Sequence, residues 1–166
     1  MICPSCHSDN IEGSDVCENC GASLSALDAQ KARQAPEFVH YPLSGLPKHK
    51  VAQVGPSDPV SLAVRLMQTQ DVSSVLVMQG DQISGIITGW DILQKVAGQT
   101  EDLTAVTCGQ IMTPEPQCLH EDDSLSLALN LMASGHFRHV PIVDGEKPLT
   151  VVDVNDLFRQ ISPNLV

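Results

Sequence analysis

Aromatic residues are nearly missing from this chain of 166 residues: one Trp, one Tyr and three Phe, or 3% of the total. A core built here must therefore come from Val, Ile, Leu, Met and Ala. Basic residues are also few. Lys plus Arg number 9 against 20 Asp plus Glu, a formal net charge of −11. Such a balance favours solubility and opposes broad contact with phosphate backbones or anionic membranes. No run approaches the roughly 20 apolar residues that a membrane span requires. The start of the sequence, Met1-Ile2-Cys3-Pro4, carries neither a basic region nor an apolar stretch, so no signal peptide is expected. A cytoplasmic location with reduced thiols follows as the expectation. There is no Gly-rich phosphate loop, no Ser/His/Asp arrangement at a recognisable elbow and no open metal site, so no enzymatic activity is expected.

What is present is a duplication. Residues Val54 to Leu93 recur without a gap at Leu119 to Phe158, an offset of 65 positions. Asp58 falls on Asp123, Ser61-Leu62-Ala63 on Ser126-Leu127-Ala128, Val75 on Val140, Gly80 on Gly145 and Asp91 on Asp156. One fold unit is used twice, and paired copies pack about a pseudo-two-fold axis, near which clefts form.

Each copy reads as β-α-β-β-α. In the first, Val51 to Val54 is extended. Asp58-Pro59 has the form of an N-cap with Pro at the first helical position, ahead of Leu62, Leu66 and Met67 at helical spacing. Val75 to Met78 and Gly85 to Thr88 read as strands joined by a turn at Gln79 to Gln82. Asp91 then opens a helix closed by Gly98. In the second copy, Gln117 to Leu119 is the first strand, and Asp123 or Ser124 caps the helix. Val140 to Val143 and Leu149 to Val152 form a hairpin about Asp144-Gly145, and Asp156 starts the last helix. The fold class is α+β, with helices on one face of each small sheet.

Four of the six cysteines lie in the first 20 residues, as Cys3-x-x-Cys6 and Cys17-x-x-Cys20. Two residues between cysteines make a knuckle whose thiolates converge on one ion. Zn²⁺ takes four such ligands tetrahedrally, with no open position. So short a segment depends on the metal for its folding energy. A pair of disulfides is the alternative, disfavoured by the reducing compartment and the paired spacing. Gly21 suits the turn after the second pair, while His7 is either a further candidate ligand or simply exposed. The segment resembles a zinc ribbon. Residues 1–35 carry five acidic residues against Lys31 and Arg33, so an unknown protein is the expected partner and nucleic acid is not. Ser23 to Ala35 reads as a short helix, and Pro36, Pro42 and Pro47 as a linker. The expected organisation is a ribbon at 1–24, a linker at 25–45, and repeat units at 46–100 and 101–166.

Three segments carry a family resemblance: Ile111-Met112-Thr113-Pro114, Arg138-His139-Val140-Pro141-Ile142-Val143-Asp144, and Gly85-Ile86-Ile87-Thr88-Gly89-Trp90-Asp91. Residues from about 46 to 162 resemble a tandem pair of CBS domains, preceded here by the ribbon. The resemblance implies a cleft that binds adenine nucleotides or adenosyl compounds such as S-adenosylmethionine, and a homodimer. It implies a ribose held by Thr88 and Asp91, since a carboxylate can accept from two neighbouring hydroxyls. It implies an adenine slot along Gln53, Val54 and Val75, and phosphate contacts from Arg138 and His139. Each residue also has a plainer reading. Asp91 can be a helix cap, Thr88 a strand residue, Arg138 a surface ion-pair partner and His139 a packed histidine.

The second copy departs from the pattern. Thr150 replaces Gly85 and Asp153 replaces Thr88, while Asp156 is kept. Two carboxylates there would oppose a polyphosphate, so one site on Thr88 and Asp91 is expected, with a weaker second site at Asp153 and Asp156. The resemblance therefore implies a regulatory, ligand-binding module that signals to a protein. The alternative is a ligand-free dimerising scaffold whose ribbon docks a protein. Cys118 aligns with Gln53 on the first strand and is expected to be buried as a small hydrophobe.

Overall fold

A computed structural model describes residues 2, 3, 6–22, 24, 40–99 and 102–161. The helix expected over Ser23 to Ala35, and most of the linker, lie outside the described residues. The chain divides into two compact units, Met1–Val39 and His40–Val166.

The larger unit holds both repeats. The first runs β1 (Gln53–Val54), α1 (Val60–Gln70), β2 (Ser74–Gln79), β3 (Gln82–Thr88) and α2 (Gly89–Lys95). A one-turn helix, α3 (Cys108–Ile111), and a short strand, β4 (Thr113–Pro114), follow. The second repeat is β5 (Leu119–His120), α4 (Leu125–Gly135), β6 (His139–Asp144), β7 (Lys147–Asp153) and α5 (Val154–Ile161). The β-α-β-β-α order holds in both copies.

The first sheet has the order β1-β2-β3-β4, with β1 parallel to β2 and the other pairs antiparallel. The second is β5-β6-β7 with the same pattern. Strand β4 lies between the repeats in sequence and pairs with β3 of the first. In register, Ser74 faces Thr88 across the first hairpin and His139 faces Asp153 across the second. These pairs occupy the same place in the two copies.

The core is aliphatic. In the first repeat Val54, Val60, Ala63, Val75, Val77, Ile87 and Ile111 pack with Cys108. Cys108 is fully buried, and desolvation pushes its thiol up to about 11, so it packs as an unreactive small hydrophobe. Cys118 is different from its expected place. It lies exposed ahead of β5, which begins at Leu119.

The helix starts also differ from the sequence reading. Pro59 itself is the N-cap of α1, and Asp58 turns back to accept from the Gly55 N–H at 2.6 Å. Ser124 caps α4 by accepting from the Leu127 N–H, while Asp123 accepts from the His120 N–H. Asp91 and Asp156 are not caps but third residues of their helices, reaching back one turn.

Candidate functional site

Gly89 begins α2 because Thr88 caps it. The Thr88 hydroxyl accepts from the Asp91 N–H at 3.4 Å, and the Asp91 carboxylate accepts from the Thr88 N–H at 2.9 Å, closing a capping box. The Thr88 hydroxyl also donates to Asp91 Oδ2 at 2.7 Å. On the other side, Asp91 Oδ1 accepts from Lys95 Nζ at 2.8 Å and from the Thr113 hydroxyl at 3.2 Å. Lys95 also donates to the Ile111 carbonyl at 2.6 Å. Asp91 is only 6% exposed. Its burial would raise the carboxyl pKa, but the bonds from Lys95 and Thr88 outweigh this and hold it below the usual value.

The second copy meets the same requirement with other residues. Asp156 Oδ2 accepts from the Asp153 N–H at 3.0 Å and lies 3.1 Å from His49 Nε2. Arg159 approaches Oδ1 at 3.5 Å. His49 arrives from the segment before β1 because of Thr150. Where the first copy has Gly85 close against Met112, Thr150 places a buried hydroxyl that accepts from the His49 N–H at 2.9 Å. The break in the repeat is thus a side-chain anchor for His49.

His139 joins the copies. Its Nε2 lies 2.8 Å from the Ser73 hydroxyl of the first repeat and 3.2 Å from Asp153 Oδ2 of the second. A proton on Nε2 serves both acceptors, whereas a bare Nε2 would face the carboxylate. Burial lowers its pKa, against the opposing pull of Asp153. His139 is therefore a packed, neutral histidine at pH 7 rather than a ready phosphate cation. Arg138 is well exposed and lies 4.0 Å from Asp153.

These residues open onto one cleft of about 1540 Å³. That exceeds the roughly 300–1,000 Å³ of an ordinary ligand pocket, because the cleft runs across both repeats. Thr88, Asp91, Arg138, His139, Asp153 and Asp156 all line it. Gln53, Val54 and Val75 do not: Val54 and Val75 are buried in the core, and Gln53 is exposed elsewhere. The apolar walls come instead from Val72, Ile86, Phe137 and Val151. His49, Lys50, Thr113 and Glu115 also line the cleft and were not singled out from the sequence. The offset of 65 could have found two of them, since it places Glu115 on Lys50.

Charge divides unevenly. The segment beside Asp91 contributes Glu115, with Lys95 as the neighbouring cation. The side of Asp153 and Asp156 carries Lys50, Arg138 and Arg159. Its two carboxylates are met by cations, so the second half is not the more repulsive one for an anion.

In the smaller unit, two knuckles repeat one geometry. The His7 N–H donates to the Cys3 carbonyl and the Gly21 N–H to the Cys17 carbonyl, both at 2.9 Å. His7 and Gly21 both take a left-handed backbone, at φ 60° and 71°. His7 is exposed and belongs to the turn. The four Sγ atoms lie within 4.8 Å of one another, with Cys3 to Cys20 at 3.7 Å and Cys6 to Cys17 at 3.6 Å. Tetrahedral thiolates at roughly 2.3 Å from Zn²⁺ would stand about 3.8 Å apart, so the donor set fits that ion. The Ser8 hydroxyl bond pulls the Cys6 thiol down to about 5, which favours a thiolate there.

Comparison with known proteins agrees with this architecture. The CBS domain pattern matches residues 43–98 and again 108–163. The CBS domain-containing protein CBSCBSPB3 of Arabidopsis thaliana is 42% identical over 95 residues, which are 57% of this chain and 17% of that protein. The chain thus spans under a fifth of that relative's length. Among solved structures, CBSX2 in complex with AMP superposes with a TM-score of 0.63 at 20% identity, covering 74% of this chain and 97% of that one. A CBS domain pair in complex with 5′-methylthioadenosine and S-adenosyl-L-methionine gives 0.65 at 18% identity, again covering 74% and 97%. With two matched repeats and a shared fold, the chain belongs to the CBS domain family, as a tandem pair that follows a four-cysteine cluster compatible with a zinc ribbon.

Proposed function

We propose that this CBS pair is a non-catalytic, cytoplasmic sensor that binds an adenine nucleotide or adenosyl compound in its cleft and signals to a protein partner. The ribose sits at Thr88 and Asp91. Adenine lies against the apolar wall of Val72 and Ile86, and an anionic tail points to Lys50 and Arg138. The observation that carries this reading is the cleft itself. A hydroxyl and carboxylate from one helix start open into it on one side, and cations line the other. Adenosyl ligands bound to CBS pairs of the same fold support it.

Binding acts as a signal only if the ligand prefers one of two packings of the repeats. Zn²⁺ on Cys3, Cys6, Cys17 and Cys20 folds the ribbon, whose acidic surface contacts the protein partner. Leu93 and Phe158, both 57% exposed and 65 positions apart, supply a homodimer face on α2 and α5.

The test is calorimetry with AMP, ADP, ATP, 5′-methylthioadenosine and S-adenosylmethionine. At least one should bind in the micromolar range, with loss on Asp91→Ala. One observation favours a second reading, a ligand-free dimerising scaffold: every acceptor position of Asp91 is already filled from within the protein. Under that reading none of the five compounds binds or raises the melting temperature.

A further inference from the structure

A carboxylate offers about four acceptor positions, two on each oxygen. Asp91 has all four in use. Oδ2 takes the Thr88 N–H and hydroxyl, and Oδ1 takes Lys95 and Thr113. A ribose brings two neighbouring hydroxyls and so needs two positions. The Thr88 bonds close the cap of α2, and giving them up would unwind the helix start. The Thr113 bond is long at 3.2 Å, and a hydroxyl rotates freely. That yields one position. The second can come only from Lys95.

Lys95 is not easily indifferent. Its ammonium is held at 2.8 Å by Asp91 and at 2.6 Å by the Ile111 carbonyl, while its side chain stays 42% exposed. Half-exposed ion pairs contribute little, so Lys95 is displaceable at a modest cost. The second copy has no equivalent, since Gln160 stands at that position.

We propose that Lys95 is a specificity-determining residue that competes with one ribose hydroxyl for Asp91. It makes the first half of the cleft nearly blind to the difference between a ribose and a 2′-deoxyribose. This rests on the ribose placement proposed above. A ligand with one hydroxyl uses the position that Thr113 vacates. A ligand with two must also displace the ammonium, and the gain from its extra hydroxyl is offset.

The experiment measures binding of AMP and of 2′-deoxy-AMP to the full chain, as wild type and as Lys95→Met. In the wild type the two affinities should agree within about twofold. In Lys95→Met, AMP should tighten by about two- to fivefold, the scale of a half-exposed ion pair, with 2′-deoxy-AMP unchanged. The selectivity should disappear in Asp91→Asn/Lys95→Met. A gain in affinity for one ligand alone cannot come from a loosened fold. Equal or weaker AMP binding by Lys95→Met overturns the assignment of Lys95 while leaving the adenosyl site intact. If neither protein binds either nucleotide, the adenosyl site is refuted and this role of Lys95 with it.

Discussion

The two halves of the cleft solve one electrostatic problem in different ways. Each begins a helix with a nearly buried aspartate, Asp91 at 6% exposure and Asp156 at 4%. In the first half the countercharge comes from the same helix, one turn on, as Lys95. In the second it comes from Arg159, also on the same helix, while His49 arrives from a distant segment to place its Nε2 at 3.1 Å from the carboxylate. Duplication therefore preserved the carboxylate and left its neutralisation free to diverge. The first half is a short, permanent pair with a hydroxyl beside it. The second is an assembly of groups from several elements, richer in cations.

The sharpest way to break this comparison is to remove each carboxylate in turn. Asp91→Ala should lose ligand binding by at least about tenfold in calorimetry, a cost of roughly 1.4 kcal/mol. It should also lower stability by about 1–2 kcal/mol, because the capping box opens and Lys95 loses its partner. Asp156→Ala should retain most of the binding. Equal loss from both substitutions would mean that the halves are functionally alike. Trp90, the single tryptophan, is 66% exposed, lines the cleft and adjoins Asp91, so its fluorescence gives an independent reading.

How much of this was legible beforehand follows from the kind of signal each feature leaves. The repeat, its element order and the four cysteines are periodic, and period is visible in a sequence. Thr88 and Asp91 stand out in the sequence because they match the Thr-x-x-Asp pattern of the resemblance, and the same spacing closes the capping box at the start of α2. Lys95 lies four residues past Asp91 on the same helix, so its pairing is readable as an i,i+4 contact. Thr113 leaves no such signal, because its role depends on β4 returning to pair with β3. Val54 and Val75 were misplaced because an apolar strand looks the same whether it lines a cleft or fills a core. The charge of the second half is hard to read in sequence because two of the cations on that side, Lys50 and Arg138, lie far along the chain from Asp153 and Asp156.

The next contrast lies behind the carboxylates, at Gly85 and Thr150. A Cβ on Gly85 would overlap the Met112 thioether. Gly85→Thr should therefore destabilise the protein by about 1–3 kcal/mol through overpacking. Thr150→Val keeps the shape but strands the His49 N–H, for a loss of about 1 kcal/mol. Urea denaturation of both variants measures the pair. If Gly85→Thr proves the milder change, the close approach of β3 to Met112 is not what fixes that glycine.

On the outer face the halves should behave alike. Leu93 and Phe158 occupy equivalent, exposed positions on α2 and α5. If both lie in a homodimer face, Leu93→Glu and Phe158→Glu should each weaken dimerisation by about tenfold, the cost of losing a central apolar contact. Sedimentation velocity across a concentration series would show it. A wild-type chain that remains monomeric removes the dimer and makes the two apolar positions incidental.

The smallest expected effect separates the halves by pH. Asp91 titrates below its ordinary value of 3.8 in the fold. Its unfolded form therefore takes a proton first as pH falls, and the stability it contributes is present above 3.8 and lost below. His139 also titrates low in the fold, below 6.5, because burial disfavours its charge. The unfolded chain again binds the proton first, so stability declines as pH falls from above 6.5 toward the folded value. The second half should thus loosen in mild acid, while the first persists until strong acid. His139→Gln removes only the upper window. Its stability relative to wild type, measured by urea denaturation at pH 7.5 and pH 5, should improve at the lower pH. A constant difference between the two proteins would mean that His139 does not exchange a proton on unfolding, and that its contacts with Ser73 and Asp153 contribute equally at both pH values.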